Sequence, residues 1–171
     1  EDIVAAGVAL SVLDEDVAGD AVMFFHQLLQ EYFAARRMAE GLAADLVRCS
    51  WRADEVSPTL AETLAALAPN DPLPPPEPTG WEETTALAAV MSPEPDRFVA
   101  AVAAVNLPLA ARCAAQRDAH VGAAIRRDVA WQLVQRSRDP AADLRARIDA
   151  GLRLGELGDP RFERHAGPLG T

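Results

Sequence analysis

The spacing of apolar residues changes character along the chain. Residues 10–13 and 21–25 are short apolar runs around the acidic, glycine-containing stretch 14–20, a pattern that predicts a β-hairpin. Residues 3–9 before it read as the end of a helix. From His26 the apolar positions recur at three and four: Leu28/Leu29, Tyr32/Phe33, Ala35, Ala39, Leu42 and Leu46. That is the stripe of an amphipathic helix reaching about Arg48, with Gly41 as the point where it would divide in two.

Punctuation becomes explicit after that. Ser57-Pro58 predicts a helix start, serine capping and proline in the first turn, with the helix running to about Ala68. Residues 68–79 hold six prolines and predict an extended, polyproline-like connector. Thr79-Gly80-Trp81-Glu82 fits a capping box opening a helix to about Met91. Ser92-Pro93-Glu94-Pro95 opens the next, with Phe98, Val99, Val102 and Val105 on its apolar side. Asn106-Leu107-Pro108 reopens another, to about Gln116. In residues 119–137, His120 stands at the start and Val121, Ile125, Val129 and Leu133 fall at four-residue steps. Asp139-Pro140 predicts one more start, after which Leu144, Ile148 and Leu152 line the buried face. Arg145, Arg147, Asp149 and Arg153 are assigned to water, and Gly158 to a left-handed cap before Asp159-Pro160. The expected fold is therefore all-α, a HEAT-like or irregular helical repeat with a small N-terminal β-hairpin. Short helix pairs with polar turns bury their stripes by stacking on neighbours.

Composition agrees, since half the residues are apolar and alanine supplies much of that share. No apolar stretch is long enough to span a membrane. The chain opens Glu1-Asp2-Ile3, without a leader, and is expected to be an internal segment of a longer protein. Cys49 and Cys113 lack metal or CxxC spacing and are expected to be free thiols. The net charge of −10 is concentrated at the front, where residues 1–24 carry six acids and no base. Without a cationic footprint, nucleic acid is not an expected partner. All sixteen bases are arginine, so the segment has no P-loop or Schiff-base lysine.

The densest chemistry lies in F-F-H-Q-L-L-Q-E-Y-F-A-A-R-R-M, residues 24–38, which holds four of the nine aromatics. With Phe24, His26, Leu29, Gln30, Glu31, Tyr32, Phe33, Ala34 and Ala35, it resembles the signature closing the winged helix of NACHT-type (STAND) signalling NTPases. The hairpin of residues 10–25 would then be the wing. N-L-P-L-A-A-R-C (106–113) and L-G-E-L-G-D-P-R-F (154–162) resemble the helical region that follows such modules in bacterial multidomain proteins. The closing G-P-L-G-T looks like a lead-in to a formylglycine-generating (sulfatase-modifying-factor-like) domain. On this resemblance residues 1–48 end the winged helix and 49–79 form a helix and connector. Residues 80–162 form the HEAT-like region, and 163–171 lead onward.

The resemblance implies that His26 faces the β-phosphate of ADP held by an upstream NTPase domain. A helix start suits an anion independently of family, because its N–H groups and dipole are positive there. The alternative is that His26 caps or packs, its ring satisfied by a carbonyl. Gln30 and Glu31 are candidates for an interdomain contact or a solvated face. Tyr32, Phe33 and Leu29 are assigned to the core, and His120 and His165 lack metal-ligand company. No cofactor is expected in this segment, ADP or ATP and Mg belonging to the parent's NTPase domain. No catalytic residue is expected either. The implied function is regulatory, in a cytoplasmic protein, coupling nucleotide state to a downstream effector domain, with the NTPase and effector domains as intramolecular partners. The alternative is a nucleotide-independent, protein-binding helical solenoid. Switching would leave an apolar face exposed around His26, whereas capture would place it within residues 80–160.

Overall fold

The structure is a computed structural model describing residues 2–16, 18 and 21–162. It is mostly helical, with one two-stranded antiparallel sheet near the N-terminus. Helix α1 (Asp2–Ala9) leads into β1 (Leu13–Asp16), which pairs with β2 (Ala21–Phe24), Leu13 opposite Phe24. The hairpin forms as expected, but β1 begins at Leu13 and takes in acidic residues; Val17, Gly19 and Asp20 of its connection lie outside the described residues. Helix α1 packs on β1, and a Cβ at Gly7 would fall 2.5 Å from a Leu13 methyl, so a larger residue there would have to displace the Leu13 side chain.

Helix α2 (Gln27–Glu40) ends at Gly41, and a short α3 (Ala44–Val47) follows, so the long apolar stripe does divide there. After it residues 51–53 run alongside 141–143, with Ala53 N–H donating to Ala141 O and Asp143 N–H to Trp51 O. Ser57-Pro58 does not start a helix. Its peptide bond is cis, and α4 (Leu60–Ala66) begins after Thr59, which caps it reciprocally with Glu62. The Thr59/Glu62 box satisfies two amides at once, which a lone serine before proline cannot do.

The second box is displaced. Glu82 accepts from Thr79 N–H at 2.6 Å and Gly80 N–H at 3.0 Å, yet α5 (Glu82–Met91) starts only after Trp81. Gly80 sits at φ +83°, where the chain turns between threonine and helix. Burial alone would raise the Glu82 carboxyl, but these hydrogen bonds outweigh it and hold it below its ordinary range. Helices α6 (Pro95–Val105) and α7 (Leu107–Ala115) lie where their prolines place them. One turn of 3-10 helix, Arg117–Ala119, leads to His120 at φ +52°, outside α8 (Ala123–Arg138), so His120 does not open that helix.

Helix α9 (Leu144–Leu157) departs most from expectation. Asp139 ends α8, accepting from Ala141 N–H, and Asp143 is the cap of α9, accepting from Arg145 N–H at 2.8 Å. The predicted buried stripe is outside: Leu144, Ile148 and Leu152 are 41%, 47% and 64% exposed. The buried face carries Arg145, Ala146, Ala150 and Leu154, with Asp149 and Arg153 half-buried. Gly158 does end the helix at positive φ, and a 3-10 turn, Pro160–Phe162, follows.

Helix α7 is central, in contact with α5, α6, α8 and α9, while α2 packs on α5. Ala35, Met38 and Val47 join Val99, Val102, Leu109, Val129 and Leu133 in one core, so sequence on both sides of the proline tract contributes to it. Alanines at the helix contacts allow close approach; Ala88, Ala89, Ala110 and Ala150 are fully buried.

Candidate functional site

The N-terminal end of α2 carries the sequence-predicted residues. His26 has extended backbone and occupies the N-cap, where its Nδ1 accepts from Leu28 N–H at 3.2 Å. With Nδ1 as acceptor, the neutral ring carries its proton on Nε2. The imidazole therefore does cap, through an amide rather than a carbonyl, and it does not pack: His26 is exposed. Its Nε2–H is a donor at the positive end of a helix of fourteen residues.

The aromatics around it form a cluster at the surface. Phe24 of β2 stacks on Phe33 of α2 at 5.5 Å between centroids, and Tyr32 meets Phe33 edge-on at 5.3 Å. This stacking joins the hairpin to α2, while the Phe25 N–H bond to Val12 O extends the pairing of the hairpin itself by one residue. The assignment of Tyr32 and Phe33 to the core is corrected here, both being exposed, while Leu29 is half-buried. The reason is that α2 presents Ala35 and Met38 to α5, leaving its first turns beyond the core. Phe25 and Leu28, on either side of His26, are 69% and 66% exposed. Gln30 is exposed, and Glu31 is half-buried, accepting from Gln27 Nε2 at 2.8 Å.

Gln27 and Glu31 also border a cavity of about 460 Å³, shared with Trp51, Pro76, Arg136 and Arg153. The Arg136 guanidinium lies 3.6 Å from the centre of the Trp51 ring. Cys49 opens onto the same space. Burial first, then the negative charges of Asp149 and Glu82, push its thiol up against the opposing pull of Arg136. Cys113 is buried, and desolvation pushes its thiol up to about 12. Both cysteines are free. The cavity thus offers no thiolate at neutral pH. Alkylation by iodoacetamide at pH 8 is expected to proceed more slowly at Cys49 than at an unfolded-peptide cysteine. Cys113 should remain unmodified until denaturant is added, as peptide mass mapping would show. Rapid native labelling of Cys113 would contradict its burial.

Among the described residues no cluster of His, Cys, Asp or Glu is placed to hold a metal ion. None of their helices is long and apolar enough to cross a membrane. His165 and the G-P-L-G-T segment lie outside the described residues. No protein-family model matches the chain, and no curated protein and no solved structure matches it either. Sequence reasoning missed the Trp51–Arg136 pair and the cavity, because their residues come from segments far apart in the chain; only their tertiary placement reveals them.

Proposed function

We propose that this chain is a non-catalytic regulatory segment of a NACHT-type signalling NTPase. Its first helices face the nucleotide-binding domain, and the remainder transmits the nucleotide state to an effector domain. The observation that carries this reading is the exposed His26 cap ringed by exposed Phe25, Leu28, Tyr32 and Phe33. Apolar surface of this size beside a polar donor suits a face covered by another domain. The Nε2–H would donate to a β-phosphate oxygen of ADP, reinforced by the dipole of α2. ADP and Mg would be held upstream, and the loss of the γ-phosphate would be felt here through how closely the face is held.

In the parent protein, His26→Ala is expected to release ADP roughly tenfold faster or more, the loss of one hydrogen bond to a charged group. Stopped-flow release of a fluorescent ADP analogue measures it, and an unchanged off-rate overturns the reading. The isolated chain should show no saturable heat with millimolar ADP, because one donor alone cannot hold a diphosphate.

A second reading, a nucleotide-independent protein-binding solenoid, draws on Trp131, Leu144, Ile148 and Leu152, which are exposed within residues 80–162. A partner captured by that surface would bind the parent equally in its ADP and ATP states. Unequal binding favours the switch.

A further inference from the structure

The cavity beside Trp51 contains a charge that the chain itself does not balance. Three arginines line it. Arg112 is paired with Glu83, and Arg153 with Asp149 and Glu156. Arg136 forms no ion pair among the described residues; its guanidinium lies instead against the Trp51 ring, 3.6 Å from the ring centre. It is half-buried, and loss of hydration pulls its pKa below the ordinary arginine value. No fully buried side-chain nitrogen among the described residues lacks a hydrogen-bond partner. The unpaired donors of Arg136 therefore reach open space, and Arg136 is part of the cavity wall.

The stack orients that group. Asp143 N–H donates to Trp51 O at 2.9 Å, which pins the residue carrying the ring to the start of α9. Arg136 meets the ring from the last turn of α8. With one face against indole, the planar guanidinium offers its donors edge-on, the geometry for two parallel bonds to a carboxylate. The lining as a whole has the other sign, five acids against three arginines. Asp149 is the least compensated of these acids, since burial holds its carboxyl above the ordinary range despite Arg153. Asp149 and Arg136 both act on the Cys49 thiol, with opposite signs, so an acid and a base stand near one point of the wall. Trp51, Pro76, Leu107 and Pro108 add apolar surface. The prolines fix the backbone on their side, so that wall is set before any ligand arrives.

We propose that this cavity binds a small zwitterion with an apolar body, an amino acid or a dipeptide, its carboxylate on Arg136 and its ammonium on Asp149. The volume of about 460 Å³ is that of a small-ligand site. Charge narrows the choice. A phosphate or a dicarboxylate would meet an excess of acids, and a simple cation would leave Arg136 unpaired. A ligand bearing both charges satisfies both groups, and its apolar part lies against the tryptophan and prolines. Arg136 and Asp149 belong to α8 and α9, away from the His26 face, so this inference is independent of the nucleotide reading.

Isothermal titration of the 171-residue chain with L-leucine and with L-leucyl-L-leucine tests it, at ligand concentrations into the millimolar range. Saturable heat is expected with at least one of them, and the tighter of the two identifies the source. L-Leucinamide lacks the carboxylate and N-acetyl-L-leucine lacks the ammonium. Each should bind about tenfold more weakly than L-leucine, and the corresponding dipeptide derivatives likewise, while inorganic phosphate should give no saturation. Arg136→Gln should raise Kd by about tenfold or more, with Arg136→Lys, which keeps the charge but not the fork, in between. Thermal melts establish that the variants are folded, and the derivative series on the native chain tests the two charges without any substitution. Occupancy should also slow iodoacetamide labelling of Cys49, which opens onto the cavity. Absence of saturation with both zwitterions overturns the proposal. So does equal binding of the amide or the N-acetyl derivative, phosphate binding tighter than the zwitterions, or a folded Arg136→Gln with unchanged Kd.

Discussion

Arg145→Met is expected to cost the fold about 3–5 kcal/mol, the loss seen when one member of a buried ion pair is removed and its partner stays charged. Arg145 and Asp143 are 5% and 3% exposed. The guanidinium gives Nε and one terminal nitrogen to the two Asp143 oxygens, at 2.9 and 3.0 Å. It also donates to Thr63 Oγ1 at 2.9 Å and Pro58 O at 2.8 Å. One side chain therefore ties the start of α9 to the turn before α4 and to α4 itself. Methionine fills much of the volume but leaves the Asp143 carboxylate without its main partner. Adding Asp143→Asn, which keeps a side-chain oxygen for the Arg145 amide and removes the charge, should recover part of the loss. Urea denaturation of the two variants measures both effects. A single variant as stable as the native chain would show that the pair contributes nothing.

The same pair sets an acid limb. Hydrogen bonds from the Arg145 side chain hold the Asp143 carboxyl below its ordinary range, against the effect of burial. A group depressed on folding contributes stability that is present above its unfolded pKa of about 4 and lost as pH falls through its lower folded value. Arg145→Met should flatten that limb. Asp149 acts with the opposite sign. Burial raises its carboxyl despite Arg153, so its contribution is present below the unfolded value and lost as pH rises through the folded one. Asp149→Asn separates the two by removing only the second.

Arg145 also shows where sequence reading reaches its limit. Periodicity on α9 assigned Leu144, Ile148 and Leu152 inward because aliphatic residues normally prefer the core. The same periodicity assigns the arginine to water, because it falls off the apolar stripe. Its acceptors other than Asp143 lie 82 and 87 positions away, and they make its burial possible. Local chemistry was legible where it was decisive. The prolines at 95 and 108 and the Asn106 cap located α6 and α7, and Gly41 located the break after α2. It misled where two similar caps competed, as with Asp139 and Asp143, or Ser57 and Thr59, since the winner depends on the tertiary path. At the candidate site the histidine and its place at a helix start were readable. That its aromatic neighbours stay outside was not, because their spacing is the same for a core and for an interface.

Asn106 carries the other large expectation. It is 7% exposed and stands between α6 and α7, where Oδ1 accepts from Leu109 N–H at 3.1 Å. Its Nδ2 donates to Val47 O at 2.9 Å, and Cys49 N–H bonds Val105 O beside it. Asn106→Ala should cost about 2–4 kcal/mol, combining a lost helix cap with a buried carbonyl left without its donor. Asparagine and aspartate are equivalent as caps, so a purely local role predicts that Asn106→Asp is nearly silent. The structure predicts otherwise. Aspartate keeps the acceptor for Leu109 but turns an anion toward the Val47 carbonyl, so its cost should equal or exceed that of alanine. Because the Val47 bond is what fastens the segment after α2 to the α6–α7 junction, loosening it should also speed hydrogen exchange at the Cys49 amide. If Asn106→Asp were native-like in urea while Asn106→Ala was not, the cap alone would account for the residue. The segment would then be held by the Cys49–Val105 bond and the burial of Val47.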